Sequence, residues 1–392
     1  MKFLYVSFVS DSEQMSGILK KVIGQTKGVS LLGHDAYYTT VEKDAVVLHT
    51  PNGIQKKAIP QNLRWRAQQK AIAAVIGAFI HEGQYDTIYI KGFLISRYLY
   101  QIAKAAKKYK ADATVIFEVA TYPYWDEYRR LLAADKTHKN IRSFLGHLLE
   151  IMQHARSSLF IRHFIDAVVV FGAPVQRLWG VPAQVIDNGV DVASIPLRTP
   201  QNVPSAVRIL GVVGTSILHG FERVLDGMKS YYDAGGQREF IFSIAGNNDT
   251  LDVLRQSAKS PMLCDRVRFL GYQNADQLAE LYRENDLAVS ILGYYGKESA
   301  FLSPLKSREY CAAGIPFIYS YNDQLLDNGV PFAKRICNDT SALAMDEIAD
   351  FVDRCRADAD LPQKERAFAI EHYDWRVIMQ QVLQFAESQQ KR

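Results

Sequence analysis

A chain of 392 residues, 48% hydrophobic and 22% charged, is too long for one ordinary core, and its composition excludes the disordered, fibrous and collagenous classes. Two α/β domains with a cleft between them are therefore expected. The net charge of +4 hides an asymmetry: through Asp187 there are 24 Lys and Arg against 15 Asp and Glu, and beyond it 22 against 27. A basic first half suits an anionic partner, with nucleic acid and an anionic membrane surface both in view.

The opening MKFLYVSFVS reads as a buried strand, because Asp11 and Glu13 stand where a signal peptide would need small residues for cleavage. No run approaches the roughly 18 apolar residues of a membrane span, so a cytoplasmic protein is expected. Cys264, Cys311, Cys337 and Cys355 have neither disulfide nor metal-ligand spacing.

Short β-rich runs alternate with segments of helical period, the pattern of doubly wound parallel sheets. Phe3–Val9, Thr87–Ile90, Ala113–Phe117 and Ala167–Phe171 are the strands expected of a first sheet. After the first of them, Gly17 lies at a strand-to-helix turn, where a small residue lets backbone approach a ligand. Lys104, Lys107, Lys108 and Lys110 read as a solvated helix face. After the third strand comes Glu118, then the aromatic run Thr121, Tyr122, Tyr124 and Trp125. Aromatic faces beside a carboxylate suit a sugar, whose CH faces stack while its hydroxyls need acceptors; packing under a loop is the bland alternative. Ile141, Phe144, Leu145, Leu148, Met152, Ala155 and Leu159 then fall on one helical face, with Lys139, Arg142 and Arg156 around it. That face is expected to be core, with a membrane-surface contact as the alternative.

Asn188-Gly189-Val190-Asp191 is a tight-turn sequence, and the polar stretch from Pro196 to Pro204 has linker composition. The boundaries follow: a first domain over 1–190, a second over 205–373, and a last helix over 374–392 placed to pack back on the first. In the second domain Val207–Val213, Glu239–Ala245, Val267–Leu270, Leu287–Leu292 and Pro316–Ser320 read as strands. His219 and Arg223 follow the first of these; the arginine fork suits phosphate, and the histidine is either a helix cap or a phosphate contact. Gly271 and Tyr272 follow the third. Asp358-Ala359-Asp360 has the letters of a metal-binding carboxylate pair but lies in a polar helical stretch and reads as surface, so no metal is expected.

The most informative segment runs from Ser303 to Pro316. Ser303 as N-cap and Pro304 at the first helical position start a helix that ends near Gly314, at the carboxyl edge of the strands where ligands bind in open α/β sheets. Lys306 and Arg308 then oppose the helix macrodipole by typically 0.3–1 kcal/mol each, a conflict a bound anion removes. Free N–H groups and Lys306 are placed to hold a diphosphate, and Glu309 to accept from ribose hydroxyls; a simple Lys306–Glu309 pair is the bland alternative.

The segment resembles the family-4-like retaining glycosyltransferases, and within them a subgroup associated with bacterial surface polysaccharides. The match is P-x-K-x-x-E-Y followed by A-x-G-x-P, carried by Pro304, Lys306, Glu309, Tyr310, Ala312, Gly314 and Pro316. Phe301 stands where the wider family often has a first glutamate, and Glu298 has no assigned role. Asn188–Asp191 resembles the family's interdomain turn, Gly214–Arg223 its diphosphate-facing turn, Phe269–Gly271 its base-bordering turn, and Glu118–Tyr124 the subgroup's E-x-x-T-Y-P-Y.

The resemblance implies the GT-B architecture, α/β with two Rossmann-like doubly wound domains facing across a cleft. It implies a hexosyltransferase that moves a sugar from a nucleotide-sugar donor to a hydroxyl acceptor, a growing bacterial glycan, with retention and without a metal or other cofactor. Glu118, Lys306 and Arg223 would be catalytic. Gly17, His219, Gly271, Tyr272, Ser303, Lys306 and Glu309 would meet the donor, and Thr121, Tyr122, Tyr124 and Trp125 the acceptor. A lipid-linked acceptor would bring the basic first domain to the inner face of the cell membrane; nucleic acid drops out as a partner. A sugar-nucleotide epimerase or hydrolase, and a noncatalytic nucleotide-sugar-binding subunit, are the rivals.

Overall fold

A computed structural model describes residues 1–10, 16–92, 94–125, 128–129, 132–133, 136, 141–201, 205–214, 219–247, 251–295 and 301–390. The chain forms two compact units, Met1–Gly189 with Trp375–Arg392, and Val190–Asp374.

In the first unit the elements run β1 (Lys2–Val6), α1 (Ser16–Leu31), β2 (Asp35–Val41), β3 (Ala45–Thr50), β4 (Gly53–Ala58), α2 (Trp65–Gly83), β5 (Thr87–Gly92), α3 (Arg97–Tyr109), β6 (Thr114–Tyr122), α4 (Ile141–Ser158), β7 (Ala167–Gly172), β8 (Arg177–Leu178) and β9 (Val181–Val185). The sheet order is β4-β3-β2-β1-β5-β6-β7-β9-β8. Its middle is parallel, and β3, β4 and β8 are antiparallel additions at the edges. Central strands buried on both faces need apolar residues throughout, and Phe3, Leu4, Tyr5 and Val6 are all fully buried. The β3–β4 hairpin turns at Pro51-Asn52, and Gly53, which opens β4 opposite Thr50, has φ +136°.

The last helix, α11 (Trp375–Gln390), belongs to this unit and lies on α1. Two glycines make the approach possible. A Cβ on Gly24 would meet the Trp375 ring at 2.4 Å, and one on Gly28 would meet the Trp375 carbonyl oxygen at 2.6 Å.

The second unit contains β10 (Ala206–Val212), α5 (Glu222–Asp233), β11 (Glu239–Ala245), α6 (Leu251–Ser257), β12 (Val267–Gly271), α7 (Ala275–Glu284), β13 (Leu287–Val289), α8 (Leu305–Ala313), β14 (Phe317–Tyr319), β15 (Ala333–Arg335), α9 (Met345–Ala357) and α10 (Leu361–His372). All six strands are parallel, in the order β12-β11-β10-β13-β14-β15. The chain therefore changes direction across the sheet between β10 and β13, the crevice where such sheets bind ligands.

The expected linker is corrected. Arg198 donates to the carbonyls of Gly314 and Asn285, both at 2.6 Å, and Arg366 donates to those of Val192 and Ile195. These guanidinium groups tie the stretch over 192–198 to the second unit's own helices, so that part is packed structure and not a free connector, while 202–204 lie outside the described residues. Among the described residues no helix is long and apolar enough to cross a membrane.

Candidate functional site

The crevice between β10 and β13 is built by two loops stitched together. Leu292 N–H donates to the His219 carbonyl at 2.9 Å. Gly220 turns the corner with φ +66°, and a Cβ there would meet Gly293 N at 2.5 Å, so only glycine fits. The corner places His219 over Phe221, ring stacked on ring at 5.2 Å.

Lys306 reaches this corner from the second residue of α8. Its Nζ donates to the Val212 carbonyl at the end of β10 at 2.8 Å and lies 2.9 Å from His219 Nδ1. The other ring nitrogen, Nε2, accepts from the Gly214 N–H at 3.2 Å. Burial lowers the Lys306 ammonium to about 7, with Glu309 opposing the change. Burial and then the neighbouring Lys306 lower His219 to about 3. A cavity of about 200 Å³ opens beside the corner, lined by Val213, His219, Gly220, Phe221, Glu222 and Leu254 among others. Two sequence-selected residues, Lys306 and His219, thus meet at the topological switch point, together with a backbone N–H and the start of a helix. That set favours an anion.

Gly271 and Tyr272 close β12 on the same carboxyl edge. Gly271 has φ +70°, its carbonyl accepts from Gly246 N–H at 2.6 Å, and Tyr272 is 64% exposed. Glu309 is half-buried one turn after Lys306 on α8. Residues 215–218 and Glu298 lie outside the described residues.

Several expectations are overturned. Pro304, not Ser303, is the N-cap of α8, with φ −72° and ψ 135°, and it makes no side-chain cap bond; Ser303 is half-buried just before it. Arg308 does not oppose the helix dipole in search of an anion. It is fully buried, its Nη1 lies 2.6 Å from Asp323 Oδ2, and its guanidinium stacks over Tyr373 at 4.2 Å. Nor is Arg223 presented to a phosphate. Its Nε donates to the Ser341 carbonyl at 2.7 Å, Nη1 to that of Leu292 at 3.0 Å, and Nη2 to Asp339 Oδ1 at 3.2 Å. With 2% exposure it braces the crevice from behind.

In the first unit, Glu118 lies inside β6 and is fully buried, not at the strand's end. Lys21 and Lys91 pair with its Oε1 at 3.1 and 3.0 Å, while Tyr89, Gln25 and Tyr5 donate to Oε2 at 2.7, 3.1 and 3.3 Å. Burial alone would raise its pKa, but the two lysines and the hydrogen bonds from Gln25 and Tyr89 hold it well below the usual carboxylate range. A carboxylate so held is a poor proton acceptor, so the catalytic part expected of Glu118 is not that of a general base. Lys21 and Lys91 escaped the sequence analysis; the available signal was Lys91 directly after the apolar run Thr87–Ile90, level with Glu118 in the next strand.

Tyr124 is buried too. Its hydroxyl accepts from Trp179 Nε1–H at 3.1 Å and pairs with His154 Nε2 at 3.1 Å, so it is a packing residue and not an acceptor contact. His154 Nδ1 accepts from Ile95 N–H at 3.1 Å, which fixes its tautomer, and burial lowers it to about 4. Trp125, 41% exposed, and the half-buried Thr121 and Tyr122 do reach the surface near the end of β6. Gly17 lies in the first turn of α1 with open space around its Cβ position, so glycine is not required there.

The apolar face of α4 is not core. Ile141, Leu145, Leu148, Leu149 and Met152 are exposed, Leu159 and Phe160 extend the patch, and His154 is the helix's buried residue. Arg142, Arg156 and Arg162 are exposed around it. Lys139 lies outside the described residues. Among the described residues no group of three or more His, Cys, Asp or Glu is placed to hold a metal; Asp358 pairs with Lys364 at 2.6 Å at the start of α10.

No protein-family model and no curated protein sequence matches the chain. Solved structures do. A glycosyltransferase from Rickettsia africae superposes with TM-score 0.65 at 13% identity, over 100% of this chain and 99% of that one. The catalytic domain of starch synthase IV from Arabidopsis thaliana, bound to ADP and acarbose, gives TM-score 0.65 at 10% identity over 100% and 99%. Anabaena HepE in complex with UDP gives 0.58 at 15% identity over 99% and 100%. At these identities the likeness fixes the fold, which is the GT-B fold of glycosyltransferases.

Proposed function

We propose that the chain is a glycosyltransferase that uses a nucleotide-sugar donor. The observation that carries this reading is the convergence of Lys306, His219, the Gly214 N–H and the start of α8 on the β10/β13 switch point. Breaking a sugar–phosphate bond gathers negative charge on the departing diphosphate, and a lysine ammonium held in place beside backbone N–H groups when the donor is bound stabilises that charge in the transition state. Two of the structures that share the fold were solved with UDP or ADP, which supports a nucleoside diphosphate as the group held here. Glu309, one turn along α8, takes the ribose, and the Gly271–Tyr272 turn borders the base.

The finer reading rests on the resemblance of the Pro304–Pro316 stretch. It comprises retention of anomeric configuration, charge stabilisation by Lys306 in place of a metal, and a bacterial glycan as acceptor. Trp125, Thr121 and Tyr122 are the acceptor contacts of this proposal. The α4 patch adds a location: exposed leucines and a methionine flanked by Arg142, Arg156 and Arg162 fit the boundary of an anionic bilayer, where a lipid-linked acceptor would be found.

The test is turnover of UDP-, ADP- and GDP-sugars with and without a membrane extract as acceptor. Acceptor-dependent release of the nucleoside diphosphate, lost in a folded Lys306→Met variant, supports the reading. Acceptor-independent release or an isomerised sugar would establish the hydrolase or epimerase instead, and binding without any turnover the noncatalytic subunit.

A further inference from the structure

Both ring nitrogens of His219 face a nitrogen that carries hydrogen. Nε2 lies 3.2 Å from the Gly214 amide nitrogen, and Nδ1 lies 2.9 Å from Lys306 Nζ, which also donates to the Val212 carbonyl at 2.8 Å. A backbone amide can only donate, so Nε2 is the lone-pair nitrogen and a neutral imidazole carries its proton on Nδ1, pointing at Lys306. An ammonium has three N–H donors and no lone pair, so in that arrangement two hydrogens would meet. The neutral amine resolves the clash: it accepts from Nδ1–H and still donates to Val212. Protonating His219 instead would set Nε2–H against the Gly214 N–H.

The surroundings favour the same protonation state. Burial lowers both groups, Lys306 to about 7 and His219 to about 3. Glu309 on α8 is the neighbouring group that favours a charged lysine. From β10 and the corner after it, the facing groups are the Val212 carbonyl, the Gly214 amide and the Phe221 ring. From α5, Arg223 is turned away to Ser341, Leu292 and Asp339.

We propose that His219 is a positioning residue acting through Lys306: it keeps the lysine a neutral amine until a nucleoside diphosphate captures the Gly214 amide, and that capture takes up a proton from solvent onto the lysine. The inference rests on the donor-site reading above. When a phosphate oxygen accepts the Gly214 N–H, Nε2 no longer has to accept. The ring proton then moves by way of solvent from Nδ1 to Nε2, which turns donor toward the phosphate, and Nδ1 accepts from Lys306. The lysine gains one proton and becomes the ammonium that faces the diphosphate. No covalent bond other than N–H changes. The site's positive charge is thus created with the donor in place, and donor affinity rises as pH falls from above 7.

The test is calorimetric titration of the full chain with UDP, ADP and GDP in pairs of buffers with small and large ionisation enthalpies. At about pH 8.5 the buffer-dependent heat should report an uptake approaching one proton per nucleotide bound, shrinking toward zero at about pH 6. Lys306→Arg keeps a permanent cation and should bind with that uptake abolished, a comparison that also removes any proton taken by the nucleotide itself. His219→Gln offers a separate acceptor, whose amide oxygen takes a hydrogen bond from the ammonium without opposing it, so the lysine is less disfavoured in its charged form and the variant should bind with less uptake. Nucleotide binding by the wild type without buffer-dependent heat, or equal uptake in either variant, overturns the proposal. No binding of any of the three nucleotides overturns the donor-site reading and this inference with it.

Discussion

Arg308 and Asp323 form a buried ion pair, Nη1 to Oδ2 at 2.6 Å, with neither side chain more than 1% exposed. Asp323 is therefore the counter-charge for Arg308, and Lys306 is left as the basic side chain of that turn directed at the crevice. Breaking one partner of such a pair leaves an uncompensated buried charge and costs about 3–5 kcal/mol. Asp323→Asn should lower the melting temperature sharply, measured by thermal denaturation. A variant that folds as stably as the wild type would show that Arg308 finds its counter-charge elsewhere.

Glu118 answers to two lysines, and its variants should affect stability before chemistry. Glu118→Gln leaves Lys21 and Lys91 without a counter-charge and should cost about 3 kcal/mol. Lys21→Met leaves Glu118 balanced by Lys91 and should cost far less. Turnover per folded molecule should survive in Glu118→Gln at lowered temperature, which a general base would not allow.

Lys21 also gives a pH dependence. Burial, offset in part by Glu118, lowers its ammonium from 10.5 to about 7. Between those values the unfolded chain binds the proton that the folded chain has lost, so stability rises with pH across that window. Lys306 adds to the same slope. Urea denaturation from pH 7 to about pH 9 should show increasing stability, and Lys21→Met should flatten the rise. A wild-type protein whose stability is level or falls over this range would contradict the placement of Lys21.

Gly220→Ala tests the corner. The added methyl would lie 2.5 Å from Gly293 N and 2.6 Å from the Leu292 carbonyl carbon at φ +66°. Strain of this kind costs on the order of 1–3 kcal/mol, and any relief moves His219 away from Lys306. The expected result is a lowered melting temperature together with weakened nucleotide binding. Gly17→Ala, with open space at its Cβ, is the control and should change neither.

The α4 patch predicts sedimentation of the protein with vesicles containing phosphatidylglycerol and not with neutral vesicles. Leu145→Glu with Met152→Glu should abolish it while leaving the melting temperature unchanged, because both side chains are exposed. Equal sedimentation of the double variant would rule this face out.

The period of apolar runs is enough to place nine strands, because a parallel strand buried on both faces must be largely apolar along its length, as Phe3–Val6 illustrates. Strands β2–β4 were not among the expected elements: β4 is exposed along most of its length, and β2 and β3 mix buried apolar residues with threonines, tyrosines and a histidine. Lys306 was legible because its local motif is short and its position on α8 follows from Pro304 and Gly314. Arg308, Arg223 and Glu118 looked equally functional in one dimension. What distinguishes them is the partner each finds far along the chain: Asp323 for Arg308, Ser341 and Asp339 for Arg223, Lys21 and Lys91 for Glu118. A charge becomes structural or functional according to long-range pairing, which spacing along the sequence does not encode.

The most direct test of the donor site is a crystal structure of the chain grown with the nucleoside diphosphate that binds best among UDP, ADP and GDP. The account predicts phosphate oxygens within hydrogen-bond reach of Lys306 Nζ and the Gly214 N–H, with the ribose beside Glu309. Nucleotide density away from the β10/β13 crevice, with Lys306 still held by Val212 and His219, would contradict it.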